Sequence, residues 1–193
     1  MRKPLKSAAW SGIFIIFLAV IAGIFSVVFK DGAFGLGLAS AAYLGIGIFS
    51  CLFLYGFVVL SKKFDATLLQ VMSWIGIGLT IFWIILILVG NIVSIAGAQE
   101  MTGFSEPEIP DWSSVLLFLI FWIPFSLFLG ANYVLFGVGL LKLKGRVKYA
   151  NANAILNIVA GATLIIFVGL FVSMVAYGFE IAMMFWAAKK FER

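Results

Sequence analysis

Long apolar runs, separated by short charged or turn-forming segments, dominate the pattern along the chain. A helix needs about 20 apolar residues to cross the hydrocarbon core of a bilayer. The runs are continuous and lack the alternation of polar and apolar residues that is typical of barrel strands. Because backbone amides must be paired in lipid, the pattern predicts membrane-spanning helices. The first four predicted helices cover residues 8–29, 34–61, 68–96 and 115–141.

The final apolar run, residues 150–188, allows two arrangements. As one straight helix, its 39 residues would be about 58 Å long, roughly twice the hydrocarbon thickness. In a five-helix arrangement, this long helix places the C-terminus on the opposite side of the membrane from the N-terminus. In a six-helix arrangement, the chain turns back near Gly169 and forms helices over residues 151–168 and 170–188.

The distribution of cations favours six helices. Cytoplasmic segments of membrane proteins are enriched in Lys and Arg. With a cytoplasmic N-terminus and six crossings, every Lys and Arg except Lys30 falls on the cytoplasmic side. We therefore predict an all-α bundle of six transmembrane helices in a single domain, residues 1–193. We place it in the cell membrane as a multi-pass protein with its N-terminus in the cytoplasm.

Composition supports the same conclusion. The chain is 64% hydrophobic and 11% charged, with a mean hydropathy of +1.20, whereas soluble domains have roughly 25% charged residues. The net charge of +5 comes from cations at the edges of apolar runs, so it does not indicate nucleic-acid binding. The single cysteine, Cys51, excludes an intrachain disulfide, and the absence of histidine excludes His-ligated haem and His-based zinc sites.

Small residues at intervals of four predict close helix packing. Gly37, Ala41 and Gly45 form such a series in the second helix, and Gly161 and Gly169 belong to another in the final run. Small side chains let two helix backbones approach closely within a membrane. We expect these residues to lie at helix–helix contacts.

Four polar residues within the predicted helices are candidates for an intramembrane site: Glu180, Asn132, Asn153 and Asn157. Glu180 is the only acidic or basic residue within these helices, and it lies about 13 Å along the helix from Lys189. An intramembrane carboxylate is a default candidate for proton or cation binding. A structural alternative is that the polar side chains hydrogen-bond between helices.

The one substantial loop, residues 99–114, is acidic. It contains Glu100, Glu106, Glu108 and Asp111 and has no cation. Carboxylates can bind a divalent cation, but the spacing of an EF-hand is absent, and a solvated loop outside the cell is the preferred interpretation. The sequence also lacks a phosphate-binding glycine loop, a metal-ligand motif and a nucleophile elbow. We therefore expect no cofactor, no metal site and no enzymatic activity.

Three segments resemble a known group of proteins: GVGLLKL at residues 137–143, GATLIIFVG at 161–169 and AYGFEI at 176–181. They are similar to the C-terminal signature of small multi-pass membrane proteins from archaea and reduced-genome bacteria. That group is defined only as a domain of unknown function, number nine-nine-six. The resemblance covers about the last 60 residues and implies a helical bundle in a membrane, without implying an activity.

Two functions fit the sequence. The first is a non-enzymatic membrane component that packs against a protein partner or against itself, which the 20 glycines favour. The second is a small channel or cation-coupled carrier, with Glu180 and the three asparagines lining its path. A carrier requires these polar residues to meet at one cavity, whereas a packing protein requires them to be paired and dry. The sequence favours the first, and in both cases the lipid bilayer surrounds the protein.

Overall fold

A computed structural model of the chain describes residues 4–28, 33–98 and 112–191. All regular structure in these ranges is helical, which confirms the predicted helical bundle. The helices are α1 (Pro4–Val28), α2 (Ala33–Lys63), α3 (Thr67–Ala98), α4 (Trp112–Leu141), α5 (Ala150–Ala162) and α6 (Val168–Phe191). The predicted limits of the first four helices lie within four residues of those observed.

Five of the helices are long and apolar enough to cross a membrane. The suitable segments are Pro4–Phe25, Gly37–Lys63, Thr67–Gly90, Trp122–Leu141 and Val168–Phe191. This is the architecture of a multi-pass membrane protein. The remaining helix, α5, has 13 residues and a length of about 20 Å, which is shorter than a hydrocarbon core of about 30 Å.

The final apolar run folds as a helical hairpin, so the alternative of one long C-terminal helix is wrong. Helix α5 ends at Ala162, a 3₁₀ turn covers Leu164–Ile166, and α6 runs back along α5. The reversal therefore comes a few residues before the predicted position at Gly169. The predicted helix over residues 151–168 is divided into α5 and the 3₁₀ turn, and six full crossings remain a prediction.

The hairpin turn can do without polar side chains, because its backbone groups form hydrogen bonds with each other. Phe167 adopts a left-handed conformation with φ of 62°, and its N–H donates to the Leu164 carbonyl at 3.1 Å. The Gly169 N–H donates to the Thr163 carbonyl at 3.0 Å. Internal pairing of this kind allows a non-helical turn to lie in an apolar environment.

The six helices form a closed ring. Each helix has its main contacts with its neighbours in sequence, and α6 returns to contact α1. Neighbouring helices are antiparallel, because the contacts advance along one helix as they go back along the next: Gly45 of α2 meets Leu18 of α1, whereas Gly56 meets Ala8. Representative contacts are Phe14 with Phe49, Leu54 with Gly76, Trp83 with Phe125, Gly130 with Gly161, Asn157 with Glu180, and Tyr177 with Gly12.

Every Lys and Arg in the described ranges lies at one end of this ring, where α1, α3 and α5 begin and α2, α4 and α6 end. Lys63 of α2, for example, places its Nζ atom 4.2 Å from the ring centroid of Phe191 in α6. Below these cations, an apolar core includes Leu5, Leu60 and Leu143. We refer to this end of the bundle as the cationic end.

Some sequence predictions concern residues outside the described ranges. These include the acidic loop with Glu100, Glu106, Glu108 and Asp111, and the short turn that contains Lys30.

Candidate functional site

The centre of the hairpin contains three buried polar side chains. Asn153 and Asn157 are fully buried on one face of α5, and Glu180 of α6 is 8% exposed. The Asn157 Nδ2 atom donates to Oε1 of Glu180 at 2.9 Å. It also lies 2.9 Å from Oδ1 of Asn153 and 3.0 Å from the Asn153 backbone oxygen. An amide nitrogen has only two hydrogens, so it cannot fully satisfy all three acceptors.

Two polar atoms of this cluster have no hydrogen-bond partner in the described part of the chain. They are Nδ2 of Asn153 and Oδ1 of Asn157, and both are buried. A buried polar atom without a partner costs about 1–3 kcal/mol. The three side chains therefore do not form a self-contained network, which a purely structural set of interhelical hydrogen bonds would do.

A cavity of about 200 Å³ lies beside Glu180 on the axis of the ring. Every one of the six helices contributes to its wall, as expected if it is the space that the ring encloses. Residues that represent α1 to α6 in turn are Ile15, Ser50, Thr80, Asn132, Asn157 and Glu180. Three of the four predicted site residues, Asn132, Asn157 and Glu180, thus meet at one cavity. Asn153 is not part of the wall and lies behind Asn157.

Asn132 is one of the α4 residues in the cavity wall. Its only side-chain hydrogen-bond contact in the described ranges is weak, because Nδ2 lies 3.9 Å from the Met72 sulfur of α3. Its side chain is only partly buried. Most of its capacity for hydrogen bonding is therefore directed at the cavity and not at a neighbouring helix.

Two tyrosines complete the polar part of the cavity wall. Tyr177 lies one helical turn before Glu180, and its hydroxyl donates to the Gly12 carbonyl of α1 at 3.1 Å. Tyr133 follows Asn132 on α4 and also lines the cavity. Neither tyrosine was among the predicted site residues. Their proximity in sequence to Asn132 and Glu180 was the available signal.

A second, larger chamber adjoins this cavity. It has a volume of about 580 Å³ and lies between α2, α3, α4 and α6. The two spaces are adjacent, because they share six wall residues: Ser50, Leu54, Gly76, Thr80, Asn132 and Tyr133. The rest of the chamber wall is mostly apolar and aromatic, and includes Trp83, Trp122 and Phe125. We call the two spaces the polar cavity and the outer chamber.

The outer chamber extends away from the cationic end. On α4, its wall runs from Asn132 back to Trp122, a distance of about 15 Å along the helix. On α3, the wall continues from Thr80 to Ile87. The polar cavity therefore lies nearer the cationic end, and the outer chamber leads from it towards the opposite side of the bundle.

Glu180 has no positively charged partner among the described residues, where Asn157 is its hydrogen-bond partner. The nearest cation along α6 is Lys189, about 13 Å away by helix rise. Within the described ranges, no group of three or more His, Cys, Asp or Glu residues is arranged to hold a metal ion. A ligand that binds here is therefore held by one carboxylate together with amides and hydroxyls.

The predicted packing glycines divide into two groups. Gly161 of α5 lies directly against Gly130 of α4, and Gly169 lies beneath the Ala160 carbonyl. Gly45 faces Leu18 of α1, where a Cβ atom would be 2.9 Å from Leu18 Cδ1. Gly37, however, has open space around it among the described residues, and Ala41 is exposed. Gly37, Ala41 and Gly45 therefore do not form one contact face.

Comparisons with models of protein families, with curated proteins and with solved structures found no match to this chain. The resemblance to small prokaryotic membrane proteins stays a prediction.

Proposed function

We propose that the protein is a small membrane carrier that binds a positively charged solute in the polar cavity. The observation on which the proposal depends is the position of Glu180. It belongs to the wall of a cavity to which all six helices contribute, and no cation accompanies it in the described ranges.

An unpaired carboxylate in an apolar interior is unfavourable, because its hydration is lost without a compensating charge. A cationic solute supplies that charge when it enters the cavity. Charged residues within membrane helices commonly mark pathways for substrates or ions for this reason. The amide of Asn132 and the hydroxyls of Tyr133 and Tyr177 supply further hydrogen-bonding groups in the same wall.

Asn157 suits a site that alternates between charged and neutral states. In the observed orientation, its Nδ2 atom donates to Glu180, as a carboxylate requires. If the amide rotates by 180°, its Oδ1 atom can accept a hydrogen bond from a protonated carboxyl. One side chain can therefore stabilise Glu180 both with and without a proton, which supports exchange of a proton for a cationic solute.

The geometry supports this carrier hypothesis better than the packing role that the sequence favoured. A packing role predicts polar side chains that are paired and dry. Instead, Asn132 and Glu180 face an open volume, and Oδ1 of Asn157 has no partner in the described structure. The proposed role is transport, without catalysis.

A second candidate function is self-association or attachment to a membrane partner. The observation in its favour is that Gly37 and Ala41 of α2 lie on the outer surface of the described bundle. Small residues on an outer helix face permit close approach of another transmembrane helix.

Uptake by proteoliposomes tests the carrier proposal. Sodium and tetramethylammonium are suitable probes, because both are permanent cations that do not cross lipid unaided. We expect uptake of at least one probe above that of protein-free liposomes when the lumen is more acidic than the external buffer, because exchange of one proton for one cation moves no net charge and is driven by the proton gradient. The Glu180→Gln variant should lose this uptake, whereas Gly178→Ala should retain it, because no described atom lies within 4 Å of a Cβ placed at Gly178.

Full uptake by Glu180→Gln would show that the carboxylate is structural, and would overturn the proposal. Absence of uptake by the wild type, together with a stable oligomer in mild detergent, would favour the second candidate.

A further inference from the structure

We infer that the solute is an amphipathic organic ammonium ion, with its cationic nitrogen beside Glu180 and its apolar body in the outer chamber. This inference rests on the proposed cation site and adds the chemical class of the substrate. It follows from the adjacency of the two spaces, which share part of their walls.

The polar cavity and the outer chamber together present a charged end and an apolar end. The carboxylate, amide and tyrosine groups surround the cavity of about 200 Å³. The chamber of about 580 Å³ has a mostly apolar wall, and its volume lies within the range of about 300–1,000 Å³ that is typical of sites for organic ligands. A molecule that fills both spaces needs one polar group and a larger apolar part.

An inorganic cation fits this arrangement poorly. On the side away from the cationic end, the outer chamber lies next to the polar cavity, and most of its wall residues cannot replace the water that a bare ion loses. Transfer of a bare ion through such surroundings has a high desolvation cost. An organic ammonium has a lower cost, because its alkyl or aryl body gains contact with the same apolar wall.

The aromatic residues of the chamber suit the apolar body of the solute. Trp83 and Phe125 stack with their ring centroids 5.3 Å apart, and Trp122 stacks on Phe167 at 4.9 Å. Trp83, Trp122 and Phe125 belong to the chamber wall. Aromatic side chains offer large apolar surfaces, so an alkyl or aryl body that enters the chamber gains extensive contact with its wall.

Equilibrium binding to the detergent-purified protein tests this inference, with tryptophan fluorescence or calorimetry as the readout. The probes are tetramethylammonium, benzyltrimethylammonium and (4-phenylbutyl)trimethylammonium, with 4-phenylbutanol as the uncharged match. If the body enters the chamber, affinity should rise by about fourfold for each added methylene, on the order of 50-fold from the benzyl to the phenylbutyl compound. The alcohol should bind more weakly than the matching cation.

Two comparisons of variants test the charged part and the apolar part of the site separately. The Glu180→Gln variant should bind all three cations more weakly than the wild type does, and its affinity for the alcohol should be unchanged. Leu129 lines the chamber, whereas Leu127 on the same helix is 56% exposed on the outer surface. Leu129→Trp should therefore reduce the increase in affinity that each added methylene of the probe gives, and Leu127→Trp should preserve that increase.

The outcomes distinguish this inference from the carrier proposal. Glu180-dependent binding without any gain from chain length would overturn the inference and leave the carrier proposal intact. A gain from length that Leu129→Trp does not change would also overturn it, because the body would then lie elsewhere. Absence of Glu180-dependent binding of every cation would contradict both.

Discussion

The side-chain amide of Asn157 donates a hydrogen bond of 2.9 Å to the carboxyl group of Glu180 and so joins α5 to α6 within the hairpin. Both side chains belong to the wall of the polar cavity. The bond therefore holds the single carboxylate of the site at the axis of the ring.

Loss of this partner should destabilise the protein. In Asn157→Ala, the buried carboxyl group loses its hydrogen-bond donor, and we expect a cost of about 1–3 kcal/mol in the free energy of unfolding. Chemical or thermal unfolding in detergent measures this change. Asn151→Ala is the matched control, because Asn151 is exposed on the same helix, and its effect should be within about 0.5 kcal/mol. Equal stability of the two variants would show that the bond contributes nothing.

The contact between α4 and α5 should be sensitive to a single methyl group. A Cβ atom at Gly161 meets the backbone of Gly130, so Gly161→Ala forces the two helices apart at an expected cost of about 1–3 kcal/mol. Gly178→Ala on α6 meets no described atom and should be neutral or stabilising by up to about 1 kcal/mol, because Ala favours helix. Unfolding of both variants in detergent tests this, and tolerance of alanine at position 161 would contradict the observed approach of the backbones.

The closure of the ring depends in part on Tyr177. Its hydroxyl donates to the Gly12 carbonyl. The Tyr177→Phe variant removes this link between α6 and α1 and retains the aromatic side chain. We expect a loss of about 0.5–1.5 kcal/mol in unfolding free energy. Tyr55→Phe is the control, because Tyr55 is 45% exposed and should change stability by less than about 0.5 kcal/mol. A loss in the control as large as that in Tyr177→Phe would indicate that the effect is not specific to ring closure.

The cationic end should lie on one side of the membrane. In a Cys51→Ser background, single cysteines at Lys63, Lys148 and Lys190 should all react with a membrane-impermeant maleimide from the same side. Because cytoplasmic segments are enriched in cations, we expect labelling only after the cells are permeabilised. Labelling of one position from the opposite side would contradict the hairpin arrangement. Labelling of all three positions in intact cells would show that the cationic end faces the outside.

Most of the fold was predictable because membrane helices leave a strong pattern. The limits of α1 to α4 follow from apolar runs and from the charged residues between them. The hairpin was harder, because its turn lacks a polar or glycine signal at Phe167, which adopts a left-handed conformation. Helix α5 also ends earlier than expected, since Thr163 begins the turn by accepting from two later backbone N–H groups.

The candidate site was predictable only in part. Glu180 and Asn157 were identifiable because ionisable and amide side chains are rare in apolar helices. Their meeting with Asn132 was not predictable, because it depends on the order of helices around the ring. The sequence contains no pattern that predicts the outer chamber, since Trp83 and Phe125 are as apolar as the many residues that face lipid.

Carbodiimide labelling of Glu180 tests the central claim most directly, because this reagent modifies carboxyl groups in apolar surroundings. Mass spectrometry of the α6 peptide should show the adduct in the wild-type protein in native membranes. Tetramethylammonium should reduce the extent of labelling by occupying the polar cavity. An unmodified Glu180, or an adduct formed equally with and without the cation, would contradict a carboxyl group that faces a solute-accessible cavity.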